Sequence, residues 1–334
     1  MYESCSLIKN KVGYTPKSYG GSQPMGIQVR DERQMKALTG LSQAQFDDLL
    51  PVFSDIYGAT QQQHYEEGVA SGTRTRKPGG GTKGKLPTMT EKLLFVLYYY
   101  KTYPTFDVLG TQFDMVRSKA NENLHKLSPI LYDTLVSLEM MPYREFSTPD
   151  DFKAALQGID QLIIDATERA YRRSQDEAKQ REHYSGKKKE HTLKNTVMSL
   201  PSKFIVFLGR TFSGHNHDYS MLKQEFPPDG DWCSDIHVRV DLGYQGMQSD
   251  YNIDQIDIPH KKPRKSKKNL TPELSAAQKA VNKALSQVRI FVEHAIGGMK
   301  RYNILVHGFR NRKENFEDDV IGVCAGLWNL VLSY

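Results

Sequence analysis

Three acidic side chains lie in sequence contexts where carboxylates can do metal-dependent chemistry. Asp165 follows an apolar run in "LIIDATE", Asp241 ends the run "HVRVD" before a glycine-bounded turn, and Glu293 lies in "SQVRIFVEHAIGGMK". An aspartate at a turn more commonly stabilises the turn itself, so the first two decide little alone. Three carboxylates that converge, however, can bind two Mg²⁺ or Mn²⁺ ions about 3.5 to 4 Å apart, which drive phosphodiester displacement. We therefore predict that these three residues are catalytic and bind metal.

Two cations share the helical edge of Glu293. Arg289 lies four residues before it and Lys300 seven residues after it, where both can hold backbone phosphates beside the metal ions. The alternative for Arg289 is a surface ion pair with Glu293, which contributes only about 0.3 to 0.5 kcal/mol. We favour the phosphate interpretation because the edge borders an apolar arc that should pack on a sheet. That arc is formed by Val288, Phe291, Val292, Ala295, Ile296 and Met299.

The elements that position these residues are predicted to form one mixed sheet with helices on its faces, an α/β fold. Apolar, β-branched runs predict three strands in meander order, at "DQLIIDATER", "KKEHTLKNTVMSLP" and "SKFIVFLGRTF". A helix over 218–225 and short strands at "HVRVDLGYQG" and "DQIDIP" follow. Thr271 is expected to cap a long helix that reaches Asn303. The C-terminal "DDVIGVCAGLWNLVLSY" is expected to be a helix with Trp328 and Leu330 buried.

The N-terminal half is predicted to be helical. Ser42 can cap a helix in which apolar residues recur at three- and four-residue spacing. Three short helical patterns follow a basic connector, and Asp114 is expected to cap the third. Their order and tight turns suit a helix-turn-helix as well as they suit an ordinary three-helix packing unit. In the first case the third helix presents residues that can reach bases or phosphates: Arg117, Lys119, Asn121 and Asn123.

Composition and periodicity divide the chain into five regions. They are an extended arm at 1–30, a helical segment at 31–70, a basic linker at 71–87, a helix-turn-helix DNA-binding domain at 88–148, and a catalytic domain at 149–334 with a basic loop at 259–270.

Positive charge is concentrated in three segments, although the net charge is only +6. One basic run is usually a solvated loop, but three together favour nucleic acid as a partner. The candidate DNA contacts in the linker and the basic loop are Arg74, Arg76, Lys77, Lys261, Lys262 and Arg264. No apolar run approaches the roughly 20 residues that span a bilayer, and three scattered cysteines fit no disulfide framework. A reducing, cytoplasmic location is therefore expected, with no membrane partner.

In its motifs the chain resembles the DDE transposases of bacterial insertion sequences, specifically insertion-sequence family five and its DDE superfamily endonuclease relatives. The segments that carry the resemblance occur in family order: "IIDATER", "YSGKKKEHTLK", "VRVDLGYQG" and "RIFVEHAIGGMK". Residues 86–131 also resemble the helix-turn-helix that precedes the nuclease domain in this family. By this resemblance the fold is ribonuclease H-like, and Asp165, Asp241 and Glu293 are the catalytic triad.

The resemblance implies roles for further residues. The family's C-terminal signature places Arg289 and Lys300 around Glu293, but Ser286 stands where the family has Tyr. A Tyr-Ser-Gly-Lys-Lys segment beside the active site is matched by Tyr184, Ser185, Lys187, Lys188 and, after it, His191. The family's His-Asp pair after the third strand corresponds to His217 and Asp218.

The implied reaction is cut-and-paste transposition with two Mg²⁺ or Mn²⁺ ions per site. Double-stranded DNA is cleaved at terminal inverted repeats, and the freed ends are joined to target DNA by a homodimer on paired ends, at the bacterial nucleoid. An alternative is a domesticated, catalytically silent DNA-binding protein or repressor. Simple ribonuclease H-type hydrolysis of RNA is disfavoured, since it requires neither a helix-turn-helix nor a basic connector.

Overall fold

Helices dominate the N-terminal half of this computed structural model, which describes residues 27–77, 84–265 and 271–334. Most of the predicted arm, the middle of the predicted linker and the end of the predicted basic loop lie outside the described residues. The helices are α1 (Glu32–Thr39), α2 (Gln43–Ala70), α3 (Met89–Thr102), α4 (Phe106–Gln112), α5 (Arg117–Ser137) and α6 (Pro149–Ala155). Among the described helices, none combines the length and hydropathy needed to cross a bilayer.

The start of α2 confirms the predicted cap. The Ser42 hydroxyl accepts a hydrogen bond from the Gln45 backbone N–H, and the Gln45 side chain accepts one from the Ser42 N–H, which makes a capping box. Phe46, Leu49 and Phe53 are buried along one side of the helix. The apolar spacing read from the sequence therefore does identify the packed face.

Three helices in the predicted order, α3, α4 and α5, pack on one another, with a tight turn between the last two. A Cβ on Gly110 would lie 2.4 Å from the backbone oxygen of Met115, so this turn requires glycine. The prediction that Asp114 caps α5 is wrong. Asp114 has a left-handed φ of 50°, whereas an N-cap has extended geometry, and Val116 occupies the N-cap position without a side-chain cap.

The C-terminal half forms one mixed sheet of seven strands. The strands are β1 (Gln161–Ala170), β2 (Tyr184–Ser185), β3 (Glu190–Ser199), β4 (Ile205–Leu208), β5 (Phe212–Ser213), β6 (His237–Arg239) and β7 (Ile256–Asp257). Antiparallel pairing of β1 with β3, and of β3 with β4, confirms the predicted meander. The strands β6 and β7 continue the sheet in parallel on the other side of β1. This order, β4-β3-β1-β6-β7, is the ribonuclease H-like arrangement expected of the fold.

Helices cover both faces of the sheet. They are α7 (Glu177–His183), α8 (Asp218–Glu225), α9 (Met247–Asp250), α10 (Ala276–Met299) and α11 (Phe316–Leu332). Alternate residues of β1 face two different cores, as the pleat requires. Ile163 packs in the core that contains α10 and α11, whereas Leu162 and Ile164 pack in the core that contains α6 and α8.

The long helix α10 is shorter than predicted at both ends. Ser275, not Thr271, is its N-cap, because Ser275 and Gln278 form a capping box that satisfies N–H groups of the first turn. The helix ends at Met299, and Asn303 instead begins a short 3-10 turn. In α11, Leu330 is buried as predicted.

The prediction that Trp328 is buried is wrong. Trp328 is half-exposed, and its indole N–H donates to the Lys203 carbonyl at 3.0 Å. The ring lies over α10 where Gly298 leaves room, because a Cβ there would come within 2.3 Å of it. A polar partner at the edge of the ring keeps that edge at the surface.

Candidate active site

The two candidate aspartates lie close together, Asp165 within β1 and Asp241 just beyond the end of the adjacent β6. In the parallel pairing of β1 with β6, Ile163 is opposite Arg239. Asp165 lies two residues further along β1, and Asp241 lies two residues beyond Arg239, just past the last residue of β6. The two carboxylates are close enough for the charge of Asp241 to raise the pKa of Asp165. Side chains two residues apart share a face of a strand, so both carboxylates lie on the face that α10 covers. Neighbouring strands are about 4.8 Å apart, which lets both carboxylates reach one cation.

The Asp165 carboxylate is buried, and the positive charge around it does not balance the negative charge. Burial raises its pKa to about 6, with Asp241 and Asp218 raising it further. A hydrogen bond from the Ala166 backbone N–H and the charge of Arg289 act in the opposite direction. Hard oxygen donors held together with uncompensated negative charge fit a divalent cation, which would remove their mutual repulsion.

Asp241 is held by the turn that follows β6. It is the N-cap of a 3-10 turn over Leu242–Tyr244, and its Oδ1 accepts a hydrogen bond from the Gly243 backbone N–H at 2.6 Å. The strand-end aspartate therefore does stabilise a turn, which is the commoner role that the sequence also allowed. Because only one oxygen is used in this bond, the other can serve as a ligand.

The third candidate acid, Glu293, lies on α10 one turn beyond Arg289. Its carboxylate is 3.8 Å from the Arg289 guanidinium, and its side chain is 59% exposed. Arg289 is itself close enough to Asp165 to lower the pKa of that carboxyl. Within residues 27–77, 84–265 and 271–334, no group of three or more Asp, Glu, His or Cys side chains is arranged to hold a metal ion. The structure thus brings two of the three acids together and leaves the Glu293 carboxylate turned outward.

Lys300 reaches back to the strand that carries Asp165. Its Nζ donates to the Glu168 carbonyl at 2.7 Å, and burial lowers its pKa, with the nearby charge of Lys188 acting in the same direction. The ammonium group is therefore fixed along β1, where it also feels the Asp165 carboxylate. Lys188 lies in the turn between β2 and β3, so this turn and the end of α10 approach the same edge of the site.

The β2–β3 hairpin holds the remaining candidates near the site in different ways. Lys187 and Lys188 are exposed at its turn, and Tyr184 packs edge-on against His191 with ring centroids 5.8 Å apart. Ser185 is buried, and its hydroxyl accepts a hydrogen bond from the Lys188 backbone N–H at 3.2 Å. Ser185 therefore shapes the turn that presents the two lysines.

The other predicted DNA contacts lie at the surface, exposed or half-buried. The exposed side chains are Lys261, Lys262, Arg264, Arg76, Lys77, Arg117 and Lys119, and the half-buried ones are Arg74 and Asn121. Lys119 is already paired with Glu122 at 2.7 Å, which weakens the case for a direct phosphate contact.

An ion pair that the sequence did not reveal borders the two aspartates. Lys194 on β3 is 8% exposed and pairs with Asp218 on α8 at 3.0 Å, and it also donates to the Asn216 carbonyl. Asp218 is thereby held where its charge acts on Asp165. A lysine directly after Leu193 in a predicted strand was the available signal, because a cation that is buried in a sheet needs a partner. His217 occupies the N-cap of α8 without a capping hydrogen bond.

Tyr244 is the second group that the sequence did not reveal. Its ring is fully buried directly after the turn of Asp241, and its hydroxyl has no hydrogen-bond partner among the described residues. Burial raises the pKa of the phenol well above its usual range, and four carboxylates add to this effect: Asp165, Asp218, Asp241 and Glu225. The phenol therefore stays protonated and neutral close to these four carboxylates.

Glu225 is a buried acid at the end of α8, and it supports a pH prediction. Its carboxylate packs on Gly209, and neither carboxylate oxygen lies in hydrogen-bonding geometry with another described residue. Burial raises the pKa of Glu225 to about 7. The unfolded carboxyl ionises near 4.5. The folded state therefore binds the proton more tightly, and the free energy of unfolding falls as pH rises from 4.5 to about 7.

We expect Glu225→Gln to remove this fall in the free energy of unfolding, which is on the order of 3 kcal/mol at pH 8. Urea denaturation from pH 4 to pH 8 measures it, with the exposed Glu67→Gln as the matched control. A pH profile of stability that is the same in wild type and Glu225→Gln would contradict the prediction.

Comparisons with known proteins identify the family of the chain. Residues 164–329 match the family model described as DDE superfamily endonuclease, and residues 84–137 match the model described as helix-turn-helix of DDE superfamily endonuclease. A protein of Microchaete diplosiphon named "Probable transposase for insertion sequence element IS702" is 29% identical over 289 residues, which cover 84% of this chain and 94% of that protein. No solved structure matches the chain.

The family model for the nuclease begins one residue before Asp165 and includes Asp241 and Glu293. Enzymes of this superfamily use divalent metal ions. The chain belongs to the DDE superfamily endonucleases, the transposases of insertion sequences.

Proposed function

We propose that the chain catalyses cut-and-paste transposition of an insertion sequence of family five. In this proposal it cleaves double-stranded DNA at terminal inverted repeats and transfers the freed strands to target DNA. The observation that carries the proposal is the proximity of two acids on neighbouring parallel segments of the sheet. Asp165 lies within β1 and Asp241 lies just beyond the end of the adjacent β6, and the charge of Asp241 acts on the Asp165 carboxyl. The similarity to a relative named as a probable transposase supports it.

Asp165, Asp241 and Glu293 would hold two Mg²⁺ or Mn²⁺ ions. When bound, such ions make a water or a hydroxyl nucleophilic and stabilise the leaving oxygen. Asp165 and Asp241 already lie on one face of the sheet, and Glu293 joins them if its exposed side chain changes rotamer on α10. Arg289 would then be released from Glu293 to bind a phosphate. Lys300 and Lys188 would hold the strand on the other side of the site.

DNA would be bound at several surfaces by a homodimer on paired ends, at the bacterial nucleoid. The third helix of the helix-turn-helix would read bases or phosphates with Arg117 and Asn121. The exposed basic residues of the linker and of the loop after β7 would neutralise phosphates, as would the β2–β3 hairpin. We also keep the five regions at 1–30, 31–70, 71–87, 88–148 and 149–334 as proposed units.

A second candidate function is favoured by one observation, the outward position of Glu293. A chain whose third ligand never reaches the two aspartates would bind DNA without cutting it, as a domesticated repressor. The two functions differ in the fate of the DNA, not in its binding.

The wild-type protein with the DNA that flanks its own gene tests the proposal. We expect cleavage at the element ends in Mg²⁺ or Mn²⁺, and its complete loss in excess EDTA, because the clustered carboxylates cannot act without cations. Mapping the cut ends on sequencing gels measures this. A repressor would shift the same DNA in a gel and leave it uncut in every metal tested.

A further inference from the structure

Two open clefts meet at the segment 309–312, between the helix-turn-helix and the catalytic region. One cleft, of 360 Å³, is lined by Arg117 at the start of α5 and by Arg312. The other, of 440 Å³, is lined by Arg172 and Arg173 beyond the end of β1. Three residues of the segment line both clefts, so the two form one continuous surface.

Contacts attach the segment 309–312 to β1 on one side and to the end of α3 on the other. The Phe309 backbone N–H donates to the Ala170 carbonyl at 3.2 Å, which attaches it to β1. Arg310 donates to the Tyr103 carbonyl at 2.6 Å and lies 4.0 Å from the centre of the Tyr103 ring, which attaches it to the end of α3. The Arg310 side chain therefore holds the segment in place. Its contacts fix the distance between the helix-turn-helix and the sheet.

Four other arginines lie on this surface, and we name them the arginine track: Arg117, Arg172, Arg173 and Arg312. The Nε of Arg173 donates to the Gln180 side chain at 2.9 Å, which leaves its other N–H groups for a ligand. All four are exposed. Among the described residues that line the two clefts, the one carboxylate is Asp176, which is used to cap α7 by accepting from the Ala178 and Lys179 backbone N–H groups. The only acid near Arg117 in the described structure is Asp107 at 3.9 Å, in an exposed pair that contributes little.

A third cleft differs in this respect. It has a volume of 1320 Å³ between α2 and α5, and it is also lined by cations. There, however, Lys119 and Lys126 both pair with Glu122 at 2.7 Å, and Lys85 pairs with Asp114. Three of the five Lys and Arg side chains that line this cleft are therefore paired with acids, whereas in the arginine track only Arg117 has such a pair.

We propose that the arginine track binds the phosphate backbone of double-stranded DNA between the helix-turn-helix and the active site. The inference rests on the proposed function, which supplies the DNA, and adds the surface that carries it. Guanidinium groups bind phosphates through two parallel hydrogen bonds, which suits a row of arginines. The first turn of α5 has no side-chain cap, so its N–H groups add donors at the same cleft.

The position of the track sets how it acts. Tyr171, beside Arg172, follows Asp165 by six residues, which is about 20 Å along a strand. The track is therefore too far from the carboxylates to take part in the chemistry. A duplex is favoured over RNA, because the narrow major groove of A-form RNA does not admit the helix α5 next to the track.

The test is a triple variant, Arg172→Gln/Arg173→Gln/Arg312→Gln, in the full chain. Its affinity for a labelled duplex of about 40 base pairs of arbitrary sequence is measured between about 50 and 200 mM KCl. We expect the slope of log affinity against log salt to fall by about 2.7, since each lost phosphate contact removes about 0.9. At about 0.1 M salt the affinity should fall on the order of 100-fold.

The control variant carries the same charge change at lysines that are already paired with acids: Lys36→Gln/Lys223→Gln/Lys279→Gln. A control slope that falls as much as the slope of the triple variant would overturn the track, because total charge would then explain the effect. An unchanged slope in the triple variant, or tighter binding to an RNA duplex, would also overturn it. If wild type binds no DNA at all, the proposed function fails instead. Equal thermal melting of the three proteins shows that folding is not the cause.

Discussion

Asp165→Asn is expected to lower the rate of DNA cleavage on the order of 1000-fold or more. The substitution keeps the shape of the side chain but removes the negative charge that a divalent cation needs. Metal ions stabilise transition-state charge by several kcal/mol, and about 4 kcal/mol corresponds to three powers of ten in rate. Asp241→Asn should have a similar effect, because the Asp241 carboxylate lies just beyond β6 and close to that of Asp165 on the adjacent strand. Single-turnover cleavage of the element ends in Mg²⁺ measures both.

DNA binding by both variants should be unchanged or stronger, since each removes negative charge beside the bound phosphates. The matched control is Asp235→Asn. The Asp235 side chain is 79% exposed, and its ion pair with Lys153 is long, at 3.8 Å. The catalytic assignment would be wrong if either site variant cleaved as fast as this control. Weaker DNA binding together with slow cleavage would instead point to a folding defect.

Arg169→Met is expected to lower the free energy of unfolding by about 3 to 5 kcal/mol, because it breaks a buried polar network. Arg169 lies four residues after Asp165 on β1 and is 3% exposed. Its guanidinium donates to the Asn195 side chain, to Thr211 at 3.1 Å and to the Glu317 carbonyl at 3.1 Å. Without the arginine, these acceptors stay buried with fewer donors.

The network joins three parts of the fold. Thr211 donates onward to Asp318 at 2.7 Å, so β1, β3 and the start of α11 are linked through polar side chains. Urea denaturation of wild type and variant gives the loss in stability. Arg181→Met, at an exposed arginine, provides the control for the loss of one positive charge. A shift in Arg169→Met no larger than that of the control would show that the network does not stabilise the fold.

Much of the secondary structure could be predicted from local patterns. The Ser42 cap, the three strands of the meander and the helix over 218–225 all follow from spacing and residue type within about ten positions. Where local signals competed, the prediction failed. Thr271 and Ser275 are both good caps, and only Ser275 has Gln three residues later to complete a capping box. The helix α7 was not predicted, since it is short, polar and without an apolar face.

The amino-acid sequence by itself determined the chemistry that this protein can attempt. It placed Asp165 after the apolar run of one strand, Asp241 at the end of another strand, and Glu293 on an amphipathic helix with Arg289. Motif order was enough to indicate the family. These properties are local, because a strand end or a helical face depends on neighbours in the chain.

Only the tertiary structure decided which side chains meet. The parallel pairing of β1 with β6 joins segments more than seventy residues apart, and it brings Asp241, just beyond β6, close to Asp165 on β1. The same packing buries the Lys194–Asp218 pair and brings the segment 309–312 between the helix-turn-helix and the sheet. Contacts at such distances along the chain leave no periodic trace in the sequence. They are set by which apolar faces pack together, and the orientation of Glu293 depends on a side-chain rotamer that spacing does not determine.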